Sequence, residues 1–210
     1  MVQSQIAGII LAAGESSRMG RDKALLPLGT QTFVERLLGV LSGVASPIIV
    51  VLGHHADEIS QAIAPALART PGARVVRNPD YKLGQLSSLQ AALRALAAEN
   101  ISGAIVCLVD HPAIPRNVVE QMVSRFATSN APLLIPSHQV ASGQRRRGHP
   151  VMFAARLFPE ILAAPVSEGA RVVVQAHESE IEYVETEEAS VLWDIDRPED
   201  YQKLLERWER

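Results

Sequence analysis

Short apolar runs alternate with helical patterns through the first two thirds of the chain, and this alternation constrains the fold most strongly. The runs predict strands, and segments with apolar residues at three- and four-residue spacing predict amphipathic helices. The predicted strands are Ile6–Ala12, Pro47–Leu52, Ala73–Arg77, Ala104–Val109 and Pro132–Pro136. The predicted helices are Thr32–Leu41, Ala56–Ala68, Leu86–Ala98 and Arg116–Ala127. Because the strands are apolar throughout, we expect a three-layer α/β/α fold with a mostly parallel sheet covered on both faces.

The last third of the sequence changes character. Short strands are predicted at Gly148–Ala154, Ile181–Val184 and Ala189–Ile195, and a closing helix at Pro198–Arg207. The apolar segment Ala170–Gln175 is compatible with either a helix or a strand. No linker separates this part from the rest, so we expect a single domain over residues 1–210, with halves at 1–137 and 138–210.

The composition excludes several classes of protein. A chain of 210 residues that is 47% hydrophobic has a globular composition and is long enough to bury a core. A net charge of -3 gives no basic excess, so we expect no nucleic-acid partner. The single cysteine, Cys107, lies in an apolar run and forms neither a disulfide framework nor a zinc motif. Without a signal peptide or a long apolar run, the sequence predicts a cytoplasmic protein with no membrane segment. Because it shows no long exposed heptad or spare apolar stripe, we expect a monomer.

The loop after the first predicted strand indicates a ligand class. It begins with the small residues Ala13 and Gly14 and carries positive charge at Arg18 and Lys23. Small side chains let a ligand lie against backbone N–H groups, and the two cations suit a polyphosphate. The loop is not a P-loop, because Ala24 follows Lys23, and it lacks the glycine spacing of the dinucleotide fingerprint.

Residues 11–23 read L-A-A-G-x-S-x-R-M-G-x-x-K and closely resemble the signature of the nucleotidyltransferases related to molybdenum cofactor guanylyl- and cytidylyltransferases. The resemblance implies the Rossmann-like sheet of nucleotide-diphospho-sugar transferases, with residues 1–137 as the nucleotide-binding half and 138–210 as the acceptor-side half. It also implies that the nucleotide is bound by Leu11, Ala12, Ala13, Gly14, Arg18 and Lys23. We assign Lys23 to the α-phosphate, where charge builds up, and Arg18 to the β- and γ-phosphates, where a guanidinium can bond two oxygens.

Asp110 is the first candidate for holding a metal. It directly follows the strand Ala104–Val109 and precedes Pro112, where the chain must turn. The resembling family carries an aspartate in such a D-x-P arrangement as a magnesium ligand, so Mg²⁺ is the expected cofactor and Asp110 a catalytic residue. The alternative is an aspartate that caps a turn. The adjacent His111 is a poor magnesium ligand.

A second carboxylate ligand is expected near the C-terminus. The segment 193–200 resembles the family's D-I-D-T-P-E-D-like segment, with Arg197 in place of the common threonine. Asp194 and Asp196 alternate on a segment predicted to be extended, so both would face the same way. We favour Asp194 as the metal ligand. Asp196 is either an alternative ligand or the cap of the helix that Pro198 begins.

Two further blocks carry the resemblance. Residues 78–89 match the family pattern N-P-x-y-x-x-G-x-x-S-S-L, which implies base and ribose recognition by Gly84, Ser87 and Ser88. The alternative is a loop followed by a helix that a serine caps. The segment Gly148-His149-Pro150 resembles the family's G-H-P segment near the acceptor, so His149 and Arg147 are candidate acceptor-binding residues. The basic run 145–147 is otherwise a solvated surface segment, and His54 and His55 receive no chemical role.

The first loop also bears on the nucleotide. Guanylyl-transferring relatives typically read L-A-G-G, whereas Ala13 gives this chain the L-A-A-G of cytidylyl-transferring relatives. The added methyl narrows the space near the base and favours a pyrimidine. We therefore expect a magnesium-dependent transferase that moves CMP from CTP to a phosphorylated acceptor, molybdopterin cofactor, and releases pyrophosphate. The alternatives are a guanylyl- or sugar/polyol-phosphate nucleotidyltransferase and a non-catalytic protein that binds a nucleotide or the cofactor.

Overall fold

The computed structural model describes residues 5–208, which form a mixed, mostly parallel sheet with helices on both faces. The strands are β1 (Gln5–Ala12), β2 (Pro27–Leu28), β3 (Gln31–Thr32), β4 (Ile48–Leu52), β5 (Ala73–Arg77), β6 (Ile101–Leu108), β7 (Leu133–Gln139), β8 (Arg145–Arg147), β9 (Val151–Ala154) and β10 (Ile181–Glu185). The helices are α1 (Phe33–Leu41), α2 (Ala56–Ala68), α3 (Gln85–Ala95), α4 (Arg116–Phe126), α5 (Phe158–Ala163), α6 (Arg171–Ala176) and α7 (Pro198–Trp208).

The main sheet has eight strands in the order β10-β7-β9-β6-β1-β4-β5, with β8 paired to β7. The pairs β1·β4, β1·β6, β4·β5 and β7·β10 are parallel. The short strand β9 is antiparallel to both β6 and β7 and lies between them. Strands β2 and β3 form a separate small hairpin.

Alternate residues of β1 enter the two halves of the core. Ile10 and Ala12 pack in the cluster that contains the apolar faces of α1, α2 and α4, while Ile9 and Leu11 pack with those of α3, α5 and α6. Side chains of a strand point to opposite faces in turn, so an uninterrupted apolar strand is what a sheet with two covered faces requires. The expected three-layer α/β/α fold is therefore confirmed.

The C-terminal part departs from the sequence prediction at one segment. The predicted strand Ala189–Ile195 is wrong: Ala189–Leu192 is a 3₁₀ helix, and an irregular segment follows it. Val191 and Ile195 enter different apolar clusters, which a single strand face would not allow. A short apolar run does not by itself distinguish a strand from a buried helical turn. The undecided segment Ala170–Gln175 belongs to a helix, α6.

Three short strands and one short helix, namely β2, β3, β8 and α5, have no counterpart in the sequence-based prediction. The hairpin β2–β3 and the helix α5 carry no periodic pattern long enough to read. The basic run Arg145–Arg147 is the exposed strand β8, which pairs with the end of β7. Among the described residues, no helix combines the length and apolar character needed to cross a membrane.

The sheet brings the two predicted loops to one edge. Strands β1 and β6 are parallel neighbours with Leu11 opposite Leu108, so the loops after both strands leave the sheet side by side. Beyond the strand ends, Val109 N donates to Leu11 O at 3.1 Å, and Ile195 N donates to Asp110 O at 2.8 Å. The second bond attaches the segment before α7 to the same edge. Ligands of such sheets bind at the carboxyl ends of the strands.

Candidate active site

A cleft of about 230 Å³ opens at this edge of the sheet. Its lining includes seven of the nine residues predicted to bind the nucleotide, namely Leu11, Ala12, Ala13, Gly14, Lys23, Gly84 and Ser88. Asp110, predicted to hold the metal, also lines the cleft. Arg18 and Ser87 are not part of this lining. The structure therefore brings together the first loop, the loop before α3 and the end of β6 around one space.

Lys23 links the first loop electrostatically to the end of β6 and to the segment before α7. Its buried Nζ lies 2.6 Å from Asp196 Oδ1 and 3.7 Å from Asp110 Oδ2. Arg18 Nη1 lies 3.0 Å from Asp196 Oδ2, so one carboxylate holds both cations of the first loop. The hydrogen bond from Lys23, with the charges of both cations, holds the pKa of Asp196 below its ordinary value. Arg18 and Lys23 thus point to a common place beside Asp110.

Asp196 does not cap the final helix. The backbone N–H of Arg197 instead donates to Asp200 Oδ2 at 3.0 Å. The carboxylate of Asp196 reaches across 173 sequence positions to Lys23. The capping alternative offered by the sequence is therefore wrong, and Asp196 belongs to the cation cluster of the cleft.

Asp110 and Asp194 form a carboxylate pair beside Lys23, whose ammonium lies closer to Asp196 than to Asp110. Ligand atoms of Asp110, His111 and Asp194 all lie within 4.8 Å of one another. Burial raises the pKa of Asp110, although Lys23 opposes this shift. Burial, followed by repulsion from Asp110 and Asp196, raises the pKa of Asp194 to about 6. Asp110 Oδ1 is buried without a hydrogen-bond partner among the described residues. Each of these features would be relieved by a divalent cation between the two carboxylates.

Two neutral histidines lie beside this pair. The rings of His111 and His149 are 4.4 Å apart between centroids. Burial lowers the pKa of His111 to about 4 and that of His149 to about 3. The backbone fixes His149, because its N–H donates to Val191 O at 2.9 Å and a Cβ on Gly148 would lie 2.6 Å from the same oxygen. Both rings are uncharged at neutral pH.

His149 and Arg147 line a second cavity of about 490 Å³. This cavity shares Leu11, Gln85 and Leu108 with the first cleft, so the two spaces adjoin. Its other walls are mainly apolar, with Leu89, Val106, Val151 and Phe153. Arg147 is held at the rim, where its guanidinium pairs with Glu178 at 2.5 Å and lies over the ring of Tyr183.

Ser87 and Ser88, in the segment 78–89, have different hydrogen-bond partners. Asn78 Nδ2 donates to Ser87 Oγ at 2.9 Å and to Ser88 Oγ at 3.0 Å. Ser87 Oγ in turn donates to Gly84 O at 2.7 Å, so its hydroxyl is used within the loop. Ser88 reaches the cleft, and its oxygen already accepts from Asn78. Asn78 therefore orients both hydroxyls, a positioning role that the sequence reading did not assign.

The sheet, the cation-bearing loop after β1 and the carboxylates at the sheet edge together define an α/β nucleotidyltransferase. Residues 8–181 match the MobA-like NTP transferase domain, and the chain belongs to that family. The family expected from the motif at residues 11–23 is confirmed.

The relatives share both sequence and fold with the chain. A protein of Mycobacterium avium called "Probable molybdenum cofactor guanylyltransferase" is 36% identical over 146 residues, which cover 66% of this chain and 68% of the relative. Its counterpart from Mycobacterium bovis is matched over 61% of its length. The crystal structure of an Rv0371c homologue from Mycobacterium sp. strain JC1 has a TM-score of 0.78 at 27% identity and covers 100% of this chain and 99% of its own. Rv0371c of Mycobacterium tuberculosis, solved as a complex with manganese, has a TM-score of 0.72 at 26% identity and covers 97% and 98% of the two chains.

Proposed function

We propose that this protein transfers a nucleoside monophosphate from a nucleoside triphosphate to the phosphate of a molybdopterin-type acceptor and releases pyrophosphate. The observation that carries the proposal is the position of Lys23, whose ammonium lies between Asp110 and Asp196 in the cleft of the first loop. Family membership supports the reaction type, and the names of the curated relatives support the acceptor.

The transfer forms one bond and breaks one. An oxygen of the acceptor phosphate attacks the α-phosphorus, and the bond from that phosphorus to the oxygen bridging to the β-phosphate breaks. The electron pair leaves with pyrophosphate. An acceptor phosphate is already anionic, so no general base is needed, and the lowered pKa of His149, about 3, makes its imidazole a weak base. Positioning and charge neutralisation therefore supply most of the rate.

The cations of the first loop would meet the triphosphate. Lys23 is assigned to the α-phosphate and Arg18 to the β- and γ-phosphates. Both now contact Asp196, so the triphosphate would share or replace this carboxylate as their partner. Backbone N–H groups around Ala13 and Gly14 would line the other side of the phosphates.

The carboxylate pair fits a divalent cation. Asp110 and Asp194 would hold it through oxygen atoms, the ligands that Mg²⁺ and Mn²⁺ prefer, and its charge would offset that of the triphosphate. The buried, unpartnered Asp110 Oδ1 and the raised pKa of Asp194 support this assignment. The manganese complex of a related fold also supports it.

The second cavity suits the acceptor. It adjoins the nucleotide cleft, its apolar walls fit a flat heterocycle, and Arg147 and Arg171 bring positive charge for a phosphate. His149 lies in its wall next to His111, and His111 in turn adjoins the carboxylate pair. We therefore assign His149 and Arg147 to acceptor binding.

Two nucleotides are candidates for the donor. The curated relatives are named guanylyltransferases, which favours GTP over the CTP expected from the sequence. The observation that keeps CTP as the second candidate is Ala13, a buried residue of the cleft lining, whose methyl group would leave less space for the base than a glycine. GTP and CTP differ in the size of the base, and the transfer reaction described above is the same for both.

Pyrophosphate release with molybdopterin and each of GTP, CTP, ATP and UTP tests the proposal. We expect turnover with GTP, and the Lys23→Met variant should lower kcat by about 10²–10³-fold because it removes a charge at the α-phosphate. Turnover confined to CTP would select the second candidate, and Ala13→Gly should then shift the preference toward GTP. Absence of turnover with every nucleotide, or full activity in Lys23→Met, would contradict the proposal.

A further inference from the structure

A second group of metal-ligating side chains lies beside the first loop and has no part in the reaction derived above. It consists of Asp22, His54 and His55, and each offers one ligand atom within 4.8 Å of the others. Asp22 precedes Lys23 and lines the nucleotide cleft, while the two histidines connect β4 to α2. The His54 backbone N–H donates to Ala13 O at 3.1 Å, so this connection already contacts the first loop.

The two imidazoles present the same nitrogen to one carboxylate. His55 Nδ1 lies 3.0 Å from Asp22 Oδ2, and His54 Nδ1 lies 3.6 Å from Asp22 Oδ1. The second distance is too long for a hydrogen bond, and His54 Nδ1 is buried without another partner among residues 5–208. In this cluster, His55 Nδ1 has a hydrogen-bond partner and His54 Nδ1 has none among residues 5–208.

The spacing suits a tetrahedral metal ion. Metal–nitrogen bonds of about 2.0–2.1 Å place neighbouring ligand atoms about 3.3 Å apart. The separations of 3.0 Å from His55 Nδ1 to Asp22 Oδ2 and of 3.6 Å from His54 Nδ1 to Asp22 Oδ1 lie on either side of this value. Two imidazole nitrogens and one carboxylate favour Zn²⁺, Co²⁺ or Ni²⁺ over Mg²⁺, which prefers oxygen ligands. Three protein ligands leave a fourth position for water.

We propose that Asp22, His54 and His55 bind a transition-metal ion such as Zn²⁺ at a site separate from the Asp110–Asp194 pair. The bound ion would link the first loop to the β4–α2 connection. The site does not depend on the proposed nucleotidyl transfer, because it is defined by the positions of these side chains alone.

His177 provides the matched control. It also contacts two carboxylates, but its Nδ1 meets Glu180 and its Nε2 meets Glu160, each at 2.7 Å. The two nitrogens of one imidazole ring point in different directions and cannot coordinate the same ion. Histidine and carboxylates therefore lie together there without forming one metal-binding site. The variant His177→Ala therefore removes an imidazole–carboxylate cluster and leaves the proposed site intact.

Calorimetric titration of the chelator-treated full chain with Zn²⁺, in a large excess of Mg²⁺, tests the site. The wild type, His177→Ala and Asp110→Asn should bind Zn²⁺ with similar affinity. His54→Gln and His55→Asn should each weaken binding by more than about tenfold. Asparagine tolerates the left-handed backbone of His55, and circular dichroism verifies the fold of each variant.

Histidine-selective ¹⁵N NMR gives a readout that does not depend on activity. Zn²⁺ should shift the Nδ1 resonances of His54 and His55 and leave those of His177 in place. Unchanged Zn²⁺ affinity in both His54→Gln and His55→Asn would overturn the proposal. Loss of the tight site in Asp110→Asn, with shifts at His111 instead, would also overturn it by assigning the ion to the carboxylate pair.

Discussion

Asp194 and Asp196 lie two residues apart and contact different residues of the cleft lining. Asp196 accepts from Lys23 and Arg18, and its pKa is lowered, so it is a charged partner of the cations. Asp194 lies with Asp110, and its pKa is raised to about 6. A metal ion stabilises a carboxylate most when that carboxylate lies near other carboxylates. It stabilises one that is already paired with an ammonium group much less.

Asparagine substitutions should separate these two roles. We expect Asp194→Asn to raise the Mg²⁺ concentration for half-maximal activity by about tenfold or more, because it removes a proposed ligand charge. Asp196→Asn should leave the Mg²⁺ requirement nearly unchanged and lower kcat, because Lys23 loses its closest partner. Metal titrations of pyrophosphate release provide the measurement. Equal effects of both variants on the Mg²⁺ requirement would contradict the distinction.

His149 should make the fold sensitive to acid. Its folded pKa of about 3 lies below its ordinary value of 6.5, so between these pH values the unfolded chain binds more protons than the folded one. The free energy of unfolding of the wild type therefore decreases as pH falls below 6.5, by up to about 1.4 kcal/mol per pH unit for this residue.

The variant His149→Gln removes this proton uptake. We expect its stability deficit relative to the wild type to shrink by about 2 kcal/mol at most between pH 7.5 and pH 5. Urea unfolding at the two pH values measures this difference. His138→Gln, which alters a half-buried histidine away from the cleft, serves as the control. A deficit that is the same at both pH values would argue against a buried neutral His149.

Helix α1 begins with a capping box, whose two residues, Thr32 and Glu35, lie three positions apart in the sequence. Thr32 Oγ1 accepts from the backbone N–H of Glu35 at 3.3 Å, and Glu35 Oε2 accepts from the backbone N–H of Thr32 at 2.8 Å. This capping box satisfies N–H groups that the first helical turn leaves without partners. The apolar face behind it, with Phe33, Val34 and Leu37, is fully buried. The helix predicted over Thr32–Leu41 begins at Phe33, with Thr32 as its N-cap.

Removing the cap should destabilise the protein measurably. We expect Thr32→Ala to lower the free energy of unfolding by about 1 kcal/mol, because the backbone N–H of Glu35 loses its acceptor and the Glu35 carboxylate loses the Thr32 hydroxyl. Thr128→Ala, at an exposed position just beyond α4, should change it by less than about 0.5 kcal/mol. Equilibrium urea unfolding of both variants provides the comparison. An equal change in the two variants would contradict the role of the cap.

At the scale of the whole molecule, the two halves of the chain share one sheet. Strand β9 from the second half lies between β6 and β7, and β7 pairs only with β8, β9 and β10 among the described strands. The predicted boundary at residue 137 falls within β7. All neighbours of this strand in the sheet therefore come from residues beyond that boundary.

This arrangement predicts that residues 1–137 do not fold alone. Without the later residues, β7 has no partner and one edge of β6 is exposed, which leaves backbone donors and acceptors unpaired. We expect the fragment to give a poorly dispersed ¹H–¹⁵N spectrum and no cooperative unfolding transition, whereas the full chain unfolds in one transition. A well-dispersed spectrum of the fragment would show that the first half is an independent domain.

The sequence by itself determined the alternating layers and the cation-bearing loop. Apolar strands, amphipathic helices and small loop residues are local patterns, and each can be read within about twenty residues. The same patterns placed the first loop and Asp110 at one edge of the sheet, because parallel neighbours end together. The different hydrogen-bond partners of Ser87 and Ser88 could not be predicted from local patterns, because they depend on the side chain of Asn78.

Only the tertiary structure decided which distant groups meet. The contact of Asp196 with Lys23 spans 173 positions, the antiparallel insertion of β9 reverses the direction of the sheet locally, and the convergence of Asp22 with His54 and His55 joins two loops. No pattern in the local sequence predicts these contacts. Each depends on chain segments that approach one another only after the core has packed. Local periodicity specifies the elements of this protein, and packing between them specifies its chemistry.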